Sequence, residues 1–153
     1  MEKKTISLEY TNDLIYELEK AFWDERGRGA RFRMTTVGSE IYKKMCRPLI
    51  KSNEVDHILQ VIGKVLIDEG IAAEVKYSTE ERLLRISIFG CLHRPVEEQM
   101  ISHGIEPFTC VPANLVVLAL EEKLNRPVEI AEIKLEEGVC QLLLVLFDQI
   151  PIN

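Results

Sequence analysis

The chain has 153 residues, 46% of them hydrophobic, which is enough for one globular domain with its own core. Its 25 acidic and 19 basic residues give a formal net charge of -6, which excludes a general binder of nucleic acids or anionic membranes. The longest apolar run, Leu142 to Phe147, is far below the roughly 20 residues that span a bilayer, and the N-terminus lacks a signal-peptide core. We therefore expect a single cytoplasmic domain, with its four cysteines as thiols or metal ligands rather than disulfides.

The first predicted element is an amphipathic helix capped by Thr11 or Asn12. Its predicted buried face consists of Leu14, Ile15, Leu18 and Phe22. A loop with two glycines follows and carries the only basic cluster of the chain. The arginines of this cluster are Arg26, Arg28, Arg31 and Arg33. The cluster is either a solvated loop or an arm that contacts phosphate or an acidic partner.

Two more helices are predicted before the first β-hairpin. The second helix repeats apolar residues at every fourth position and ends before Pro48, because the residue ahead of a proline avoids the α conformation. Cys46, near its end, is interpreted as a small packed side chain. The third helix follows a cap at Ser52 or Asn53 and ends at Gly70.

The remaining residues predict two β-hairpins with helices between them. Strand-like runs lie at 71–77 and 83–89 and again at 128–135 and 141–147, while Pro95 and Pro112 open two helices. This order indicates an α+β domain in which an antiparallel sheet of two hairpins is covered on one side by helices. The final strand is too apolar for a bare sheet edge, so we expect it to be central or covered by a second subunit.

Four motifs after Val37 resemble those of a known family. They are GSEIY at 38–42, IEPFTC at 105–110, LNRPVEIAEI at 124–133 and EEGVCQLLL at 136–144. With the order of helices and hairpins, they resemble the four-vinyl reductase domain family, hydrocarbon-binding sensor domains related to the trafficking-particle fold. The resemblance covers residues 37–147 and leaves 1–36 as an N-terminal helix and basic loop within one domain.

This resemblance implies a zinc site. Carried over residue by residue, its ligands are Cys110, Glu129 and Cys140, while Glu132 stands where the family has its middle cysteine. Two thiolates and two carboxylates hold zinc less firmly than three thiolates do. A turn centred on residues 136–138 places Glu132 and Cys140 on one face of the hairpin, and Glu129 joins them only through a bulge. The alternative is that both glutamates are exposed strand residues and Cys140 belongs to the core.

A second resemblance concerns the same cysteines. The segment FGCLHRPVEEQ at 89–99, with the later cysteines, is similar to the C-terminal sensor region of iron-sulfur assembly repressors. It implies Cys91, Cys110 and Cys140 as cluster ligands, with His93 as a further candidate. Three thiolates and an imidazole equally suit a tetrahedral zinc ion. The residues before Val37 are too few for a winged DNA-binding module, so no direct nucleic-acid contact is expected.

Three function classes follow from these observations. We expect a stand-alone sensor domain that binds an apolar small molecule, a metal, or both, without enzymatic activity. The first alternative is an interaction module in which the final strand and the helix 115–124 pair two subunits as a homodimer. The second is a reductase-associated subunit, for which the chain offers neither a glycine-rich phosphate loop nor a nucleophile elbow.

Overall fold

Helix α1, Leu8–Arg26, begins earlier than predicted. The computed structural model describes residues 5–32 and 36–148 and places the N-cap at Ser7. The Ser7 hydroxyl accepts a hydrogen bond from the backbone N–H of Tyr10. The predicted caps therefore lie one turn inside the helix. Of the two, Thr11 uses its hydroxyl to donate to the Ser7 carbonyl, which leaves it no capping role.

The buried face of α1 differs from the predicted one. Leu14 and Leu18 are exposed by 44% and 64%, so their predicted burial is wrong, whereas Asn12 and Tyr16 are buried. The reason is that α1 packs on another helix through residues that an apolar pattern does not count. Asn12, for example, donates its side-chain amide to the carbonyl of Leu92, 3.0 Å away. The hydrogen bond of Asn12 and the burial of Tyr16 thus determine which face of α1 is turned towards the rest of the protein.

The turn Gly27–Phe32 follows α1 and contains part of the predicted basic cluster. Arg26 and Arg28 are exposed. The side chain of Arg31 and the whole of Arg33 lie outside the described residues. The role of the cluster as an arm stays a prediction.

The second helical segment is wound less regularly than predicted. Helix α2 covers only Ser39–Ile41 and continues as a π-helix over Tyr42–Cys46 and a 3-10 turn over Arg47–Leu49. Cys46 is fully buried, which confirms its interpretation as a packed side chain. Helix α3, Val55–Asp68, follows and buries an apolar face as predicted.

The four strands form one antiparallel sheet, which confirms the predicted α+β class. The strands are β1 (Glu74–Glu80), β2 (Leu83–Phe89), β3 (Val128–Glu136) and β4 (Val139–Leu146). Their order across the sheet is β1-β2-β4-β3. The apolar final strand β4 is therefore central, as one of the two predicted arrangements required. Strand β3 lies at an edge, and a bulge interrupts its register between Ile130 and Glu132.

Two apolar clusters hold the helices in place. Helix α4 spans Arg94–Ser102 and helix α5 spans Val111–Leu124. The larger cluster joins one face of the sheet to α3, α5 and the π-helix. The smaller cluster joins α1 to α4 and to the segment before α5, through side chains that include Tyr16, Met100 and Phe108. The surfaces of β4 and α5 that suggested a dimer are thus largely used inside the chain.

In the described part of the chain, none of the helices has the length and apolar character needed to cross a membrane.

Candidate functional site

A buried carboxyl group stands at the junction of the two apolar clusters. Glu97, in the first turn of α4, is only 4% exposed. Pro95 suits this turn because a helix start needs no N–H from it. Glu97 points at the start of β4, where the Cys140 thiol donates a hydrogen bond to its Oε2 over 3.6 Å. Burial makes this carboxyl depend on the protein groups around it.

Three cysteines from three different elements surround Glu97. Cys91 follows β2, Cys110 is the N-cap residue of α5, and Cys140 is the second residue of β4. All three are buried, and each interacts electrostatically with Glu97. We call Cys91, Glu97, Cys110 and Cys140 the thiol–carboxyl centre. All three cysteines of the second predicted ligand set thus lie in the same buried region as Glu97, and their role as metal ligands stays a prediction.

The groups of this centre favour their neutral forms. Burial raises the pKa of Glu97 to about 7, against the weaker lowering effect of the Cys140 thiol. Burial also raises the pKa of Cys140 to about 12 and that of Cys110 well above its usual value. The pKa of Cys91 is raised for the same reason. At neutral pH the three thiols are therefore protonated.

A second carboxyl group approaches from α1. Burial, followed by repulsion from Glu97, raises the pKa of Glu19 to about 8. Its Oε2 is buried and has no hydrogen-bond partner among the described residues. The region around the thiol–carboxyl centre therefore combines two carboxyl groups with three thiols, and no lysine forms an ion pair with either carboxyl group in the described part of the chain.

Arg94 fixes the position of Cys140 relative to α4. Its Nη1 donates to the carbonyl of Val139 over 3.0 Å, and its Nη2 donates to the carbonyl of Glu136. Its Nε pairs with Glu98 at 2.7 Å. Arg94 thus ties the β3–β4 turn to the first turn of α4, and its positive charge lowers the pKa of Glu97 against the larger effect of burial.

His93, the further candidate ligand, faces α1 instead of the thiols. Its Nδ1 lies 3.5 Å from the side-chain oxygen of Asn12. Burial lowers the pKa of the imidazole, so the ring favours its neutral form. The contribution of His93 to the site is its backbone N–H, which is directed at the Cys91 thiol.

Glu129 and Glu132 lie on the other face of the sheet from Cys140. Cys140 pairs with Leu135, and Glu132 pairs with Leu143. Leu143 lies an odd number of residues after Cys140 on β4, and side chains alternate between the faces of a strand, so Glu132 and Cys140 point to opposite faces. The expected shared face of Glu132 and Cys140 is therefore wrong, because the turn contains two residues and not three. The predicted bulge exists, but it brings Glu129 to the side of Glu132. Both glutamates are exposed, and their role as metal ligands stays a prediction.

A groove of about 460 Å³ runs along the edge strand β3. We call it the β3 groove. One wall is formed by Trp23 and Phe108, whose rings stack with 5.5 Å between centroids. The opposite wall is the backbone and side chains of residues 128–133. Its charged lining residues are Arg28, Glu106, Glu129 and Glu132.

The sequence patterns did not predict that Glu97 and Glu19 are buried beside the cysteines, or that the β3 groove exists. Glu97 carries no signal of its own, because an acidic residue in the first turn of a helix usually faces solvent. Within residues 5–32 and 36–148, no three side chains of His, Cys, Asp and Glu are placed so as to hold a metal ion as they stand.

Comparison with known proteins gives one family and one shared fold. A solved structure, "Probing the function of heme distortion in the H-NOX family", is similar with a TM-score of 0.51 and 11% sequence identity. The similarity covers 98% of this chain and 76% of that chain and shows a common fold. No curated protein matches the chain. The resemblance to the four-vinyl reductase family is not confirmed. The family model described as "putative rubredoxin C-terminal domain" matches residues 11–146, so this chain belongs to that family.

Proposed function

We propose that this chain is a sensor domain that binds a small aromatic molecule in the β3 groove and catalyses no reaction. The observation that carries the proposal is the groove itself. Its volume of about 460 Å³ falls within the range of roughly 300–1,000 Å³ typical of small-molecule sites. Its aromatic wall supports an apolar ligand, as expected from the sequence.

The residues that line the β3 groove indicate which chemical class of ligand it can bind. Trp23 is half-buried and Phe108 is buried, so a flat apolar ring can stack on the exposed part of Trp23 without displacing either residue from the smaller cluster. β3 has no neighbour on this side of the described sheet, so its edge offers backbone donors and acceptors. Three glutamates against one arginine favour a ligand that carries a cationic group.

The similar structure from the H-NOX family concerns heme, and the groove of this chain does not fit that group. Heme iron is held by His, Cys, Met or Tyr side chains. None of these residue types is among the described lining residues of the β3 groove. The three histidines lie elsewhere: His57 accepts the backbone N–H of Lys51, His93 lies beside Asn12, and the His103 ring packs at a tilt against Tyr16. The fold similarity supports small-molecule binding in general, and the described lining of the β3 groove does not support heme as the ligand.

Ligand binding can be measured by saturation-transfer NMR with matched one-ring and two-ring aromatic amines and carboxylates. We expect saturable binding of the amines and weaker binding of the carboxylates. Trp23 is the only tryptophan of the chain, so its fluorescence reports whether the ligand sits in the groove. Absence of saturable binding by every compound would contradict the proposal.

Two variants locate the site. Glu132→Gln changes the charge of the groove at an exposed position, so it should weaken amine binding without unfolding the protein. Phe108→Ala removes the stacking surface and should abolish binding. Phe147→Ala is the matched control, because Phe147 is 40% exposed and lies outside the groove lining. Equal binding by all three variants would place the ligand elsewhere.

A second candidate function is pairing of two copies of the chain through α1. The observation that favours it is the exposed apolar pair Leu14 and Leu18, which lie one helical turn apart. This candidate is independent of the groove, and its test is the oligomeric state.

A further inference from the structure

Strand β3 leaves one of its backbone edges open beside the β3 groove. It is the last strand in the order β1-β2-β4-β3, so within the described sheet it pairs with β4 alone. In an antiparallel ladder, every second residue directs its N–H and C=O away from the paired neighbour. Val128 shows this direction, because its N–H donates to a side-chain oxygen of Glu121, on α5, at 3.2 Å. The outward groups of the residues that follow Val128 lie along the groove.

The β3 groove follows the strand further than one small ring requires. Its lining includes the six consecutive residues 128–133, and a strand rises about 3.3 Å per residue, so the open edge extends for about 20 Å. Ala131, within this stretch, is exposed and has the smallest side chain of β3, which leaves the backbone accessible. An extended segment of polypeptide matches such an edge both in length and in its hydrogen-bonding groups.

The bulge of β3 places two carboxyl groups on the same side of the open edge. Glu129 pairs with Val145 and Glu132 pairs with Leu143, and these two partners share one face of β4. Both glutamates are exposed, and neither forms an ion pair with another described residue. Lys134, the next residue on this side, already pairs with a carboxylate of the same strand at 3.7 Å. This side of the edge is therefore acidic.

The opposite side of the same edge is apolar. Ile130 and Ile133 are half-buried and pack against the larger cluster, on the face of the sheet that α5 covers. Phe108 lies just before α5, and its ring stacks on that of Trp23, so the aromatic wall of the groove stands on this side. A strand beside β3 therefore directs alternate side chains to the glutamates and to the aromatic wall.

The charges of the groove distinguish between two kinds of partner strand. A second copy of β3 would place one acidic edge against another, and like charges across two strands are destabilising. Glu106 adds a third carboxyl group to the lining, and Arg28 is the one basic residue among the described lining residues. The complementary partner is therefore a basic strand.

We propose that the β3 groove binds an extended basic segment of polypeptide, which pairs with the open edge of β3 and alternates basic residues with an aromatic one. The basic side chains contact Glu129 and Glu132, and the aromatic side chain between them stacks on Trp23. This inference rests on the proposed function, because it uses the same groove as the binding site, and it names polypeptide as the ligand class. A small aromatic amine then occupies only the part of the groove that the aromatic residue fills.

The test titrates the full chain with a blocked peptide of sequence threonine-lysine-phenylalanine-lysine-threonine and follows the fluorescence of Trp23. We expect saturable binding that weakens as salt is added, because salt screens exposed charges. The same peptide with glutamate in place of lysine should not bind. Glu129→Gln/Glu132→Gln should weaken binding of the lysine peptide by about threefold. Glu9→Gln/Glu17→Gln, which removes the same charge from exposed positions of α1, should leave binding unchanged.

Two methylated peptides test the strand pairing itself. One carries N-methyl groups on both lysine nitrogens, and the other carries them on the phenylalanine nitrogen and the final threonine nitrogen, so that charge and side chains stay the same. Because alternate N–H groups of a strand face its neighbour, one of the two peptides should lose affinity by about tenfold and the other should not. Equal affinity of the two peptides for the protein would overturn the proposal.

Hydrogen exchange locates the peptide. We expect the lysine peptide, but not an aromatic amine, to slow exchange of the outward backbone amides within residues 130–133. Unchanged exchange with bound peptide would place the peptide elsewhere and would also overturn the proposal.

Comparison with the aromatic amines separates this inference from the proposed function. Amines that bind, together with a peptide that binds no more tightly than they do and responds to neither methylation pattern, would refute the inference and leave the small-molecule sensor standing. Absence of binding by every amine and every peptide would refute both.

Discussion

The thiol of Cys140 donates a hydrogen bond to Glu97, and this contact crosses from the central strand β4 to helix α4. Cys140 belongs to the larger apolar cluster, and α4 belongs to the smaller one. The contact is thus a polar link between two otherwise apolar layers. A buried link of this kind makes the protein sensitive to protonation, to nearby backbone changes and to loss of its supporting residues.

The stability of the protein should fall as pH rises from about 5 to about 8. The pKa values of Glu97 and Glu19 are raised in the folded state to about 7 and about 8, from an ordinary value of 4.5. Folding then favours the protonated carboxyl groups, so their contribution is complete below pH 4.5 and is lost towards pH 8. Thermal unfolding at several pH values measures this change. Glu19→Gln/Glu97→Gln should flatten the profile in this window, and an unchanged slope would contradict the assignment.

Arg94→Ala should destabilise the protein by about 1–3 kcal/mol, because two carbonyl groups of the β3–β4 turn lose a charged donor. A change of 1 kcal/mol corresponds to about 2–4 °C in Tm for a domain of this size. Lys64→Ala is the control, since Lys64 forms only an exposed pair with Asp68. Equal Tm values for the two variants would show that Arg94 does not support the turn.

Gly90→Ala should destabilise the protein more than Gly104→Ala does. Both glycines have positive φ, so both substitutions carry a backbone cost of about 1–2 kcal/mol. A Cβ at Gly90 would also lie 2.9 Å from the Cβ of Ala73, whereas a Cβ at Gly104 meets nothing within 4 Å. The difference between the variants in urea unfolding isolates the clash beside Cys91. Equal free energies of unfolding would mean that Ala73 moves aside freely.

Light scattering should give twice the mass of the chain if α1 pairs two copies. Leu18→Glu introduces a charge into the exposed apolar pair and should yield monomers. Leu49→Glu is the matched control, since Leu49 is 52% exposed and lies on another element. A wild-type protein that remains monomeric at high concentration would remove the dimer from consideration.

The repeating patterns of the sequence were sufficient to predict the two hairpins and the α+β class, and they limited β4 to a central position or one covered by a second subunit. They were insufficient for α1, because its buried side includes Asn12 and Tyr16, which an apolar periodicity does not count. The face of Glu132 depended on a turn shorter by one residue than assumed, and strand register reverses sides with each such step.

The candidate site, like the fold, was predicted only in part. Cys91, Cys110 and Cys140 were grouped only by the resemblance to iron-sulfur assembly repressors, because no spacing between them suggested a compact motif. Their convergence depends on the sheet order, which places the end of β2 beside the start of β4. Glu97 comes from another element, α4, whose first turn Arg94 ties to the β3–β4 turn. Tertiary contacts of this kind produce no periodic pattern in the sequence.

Phe108 lines the β3 groove, and Cys110 belongs to the thiol–carboxyl centre, with only Thr109 between them. An occupant that restrains Phe108 therefore also restricts the freedom of Cys110. One wall of the groove and one buried thiol are thus carried on the same short stretch of backbone, so a backbone change at Thr109 would reach both of them.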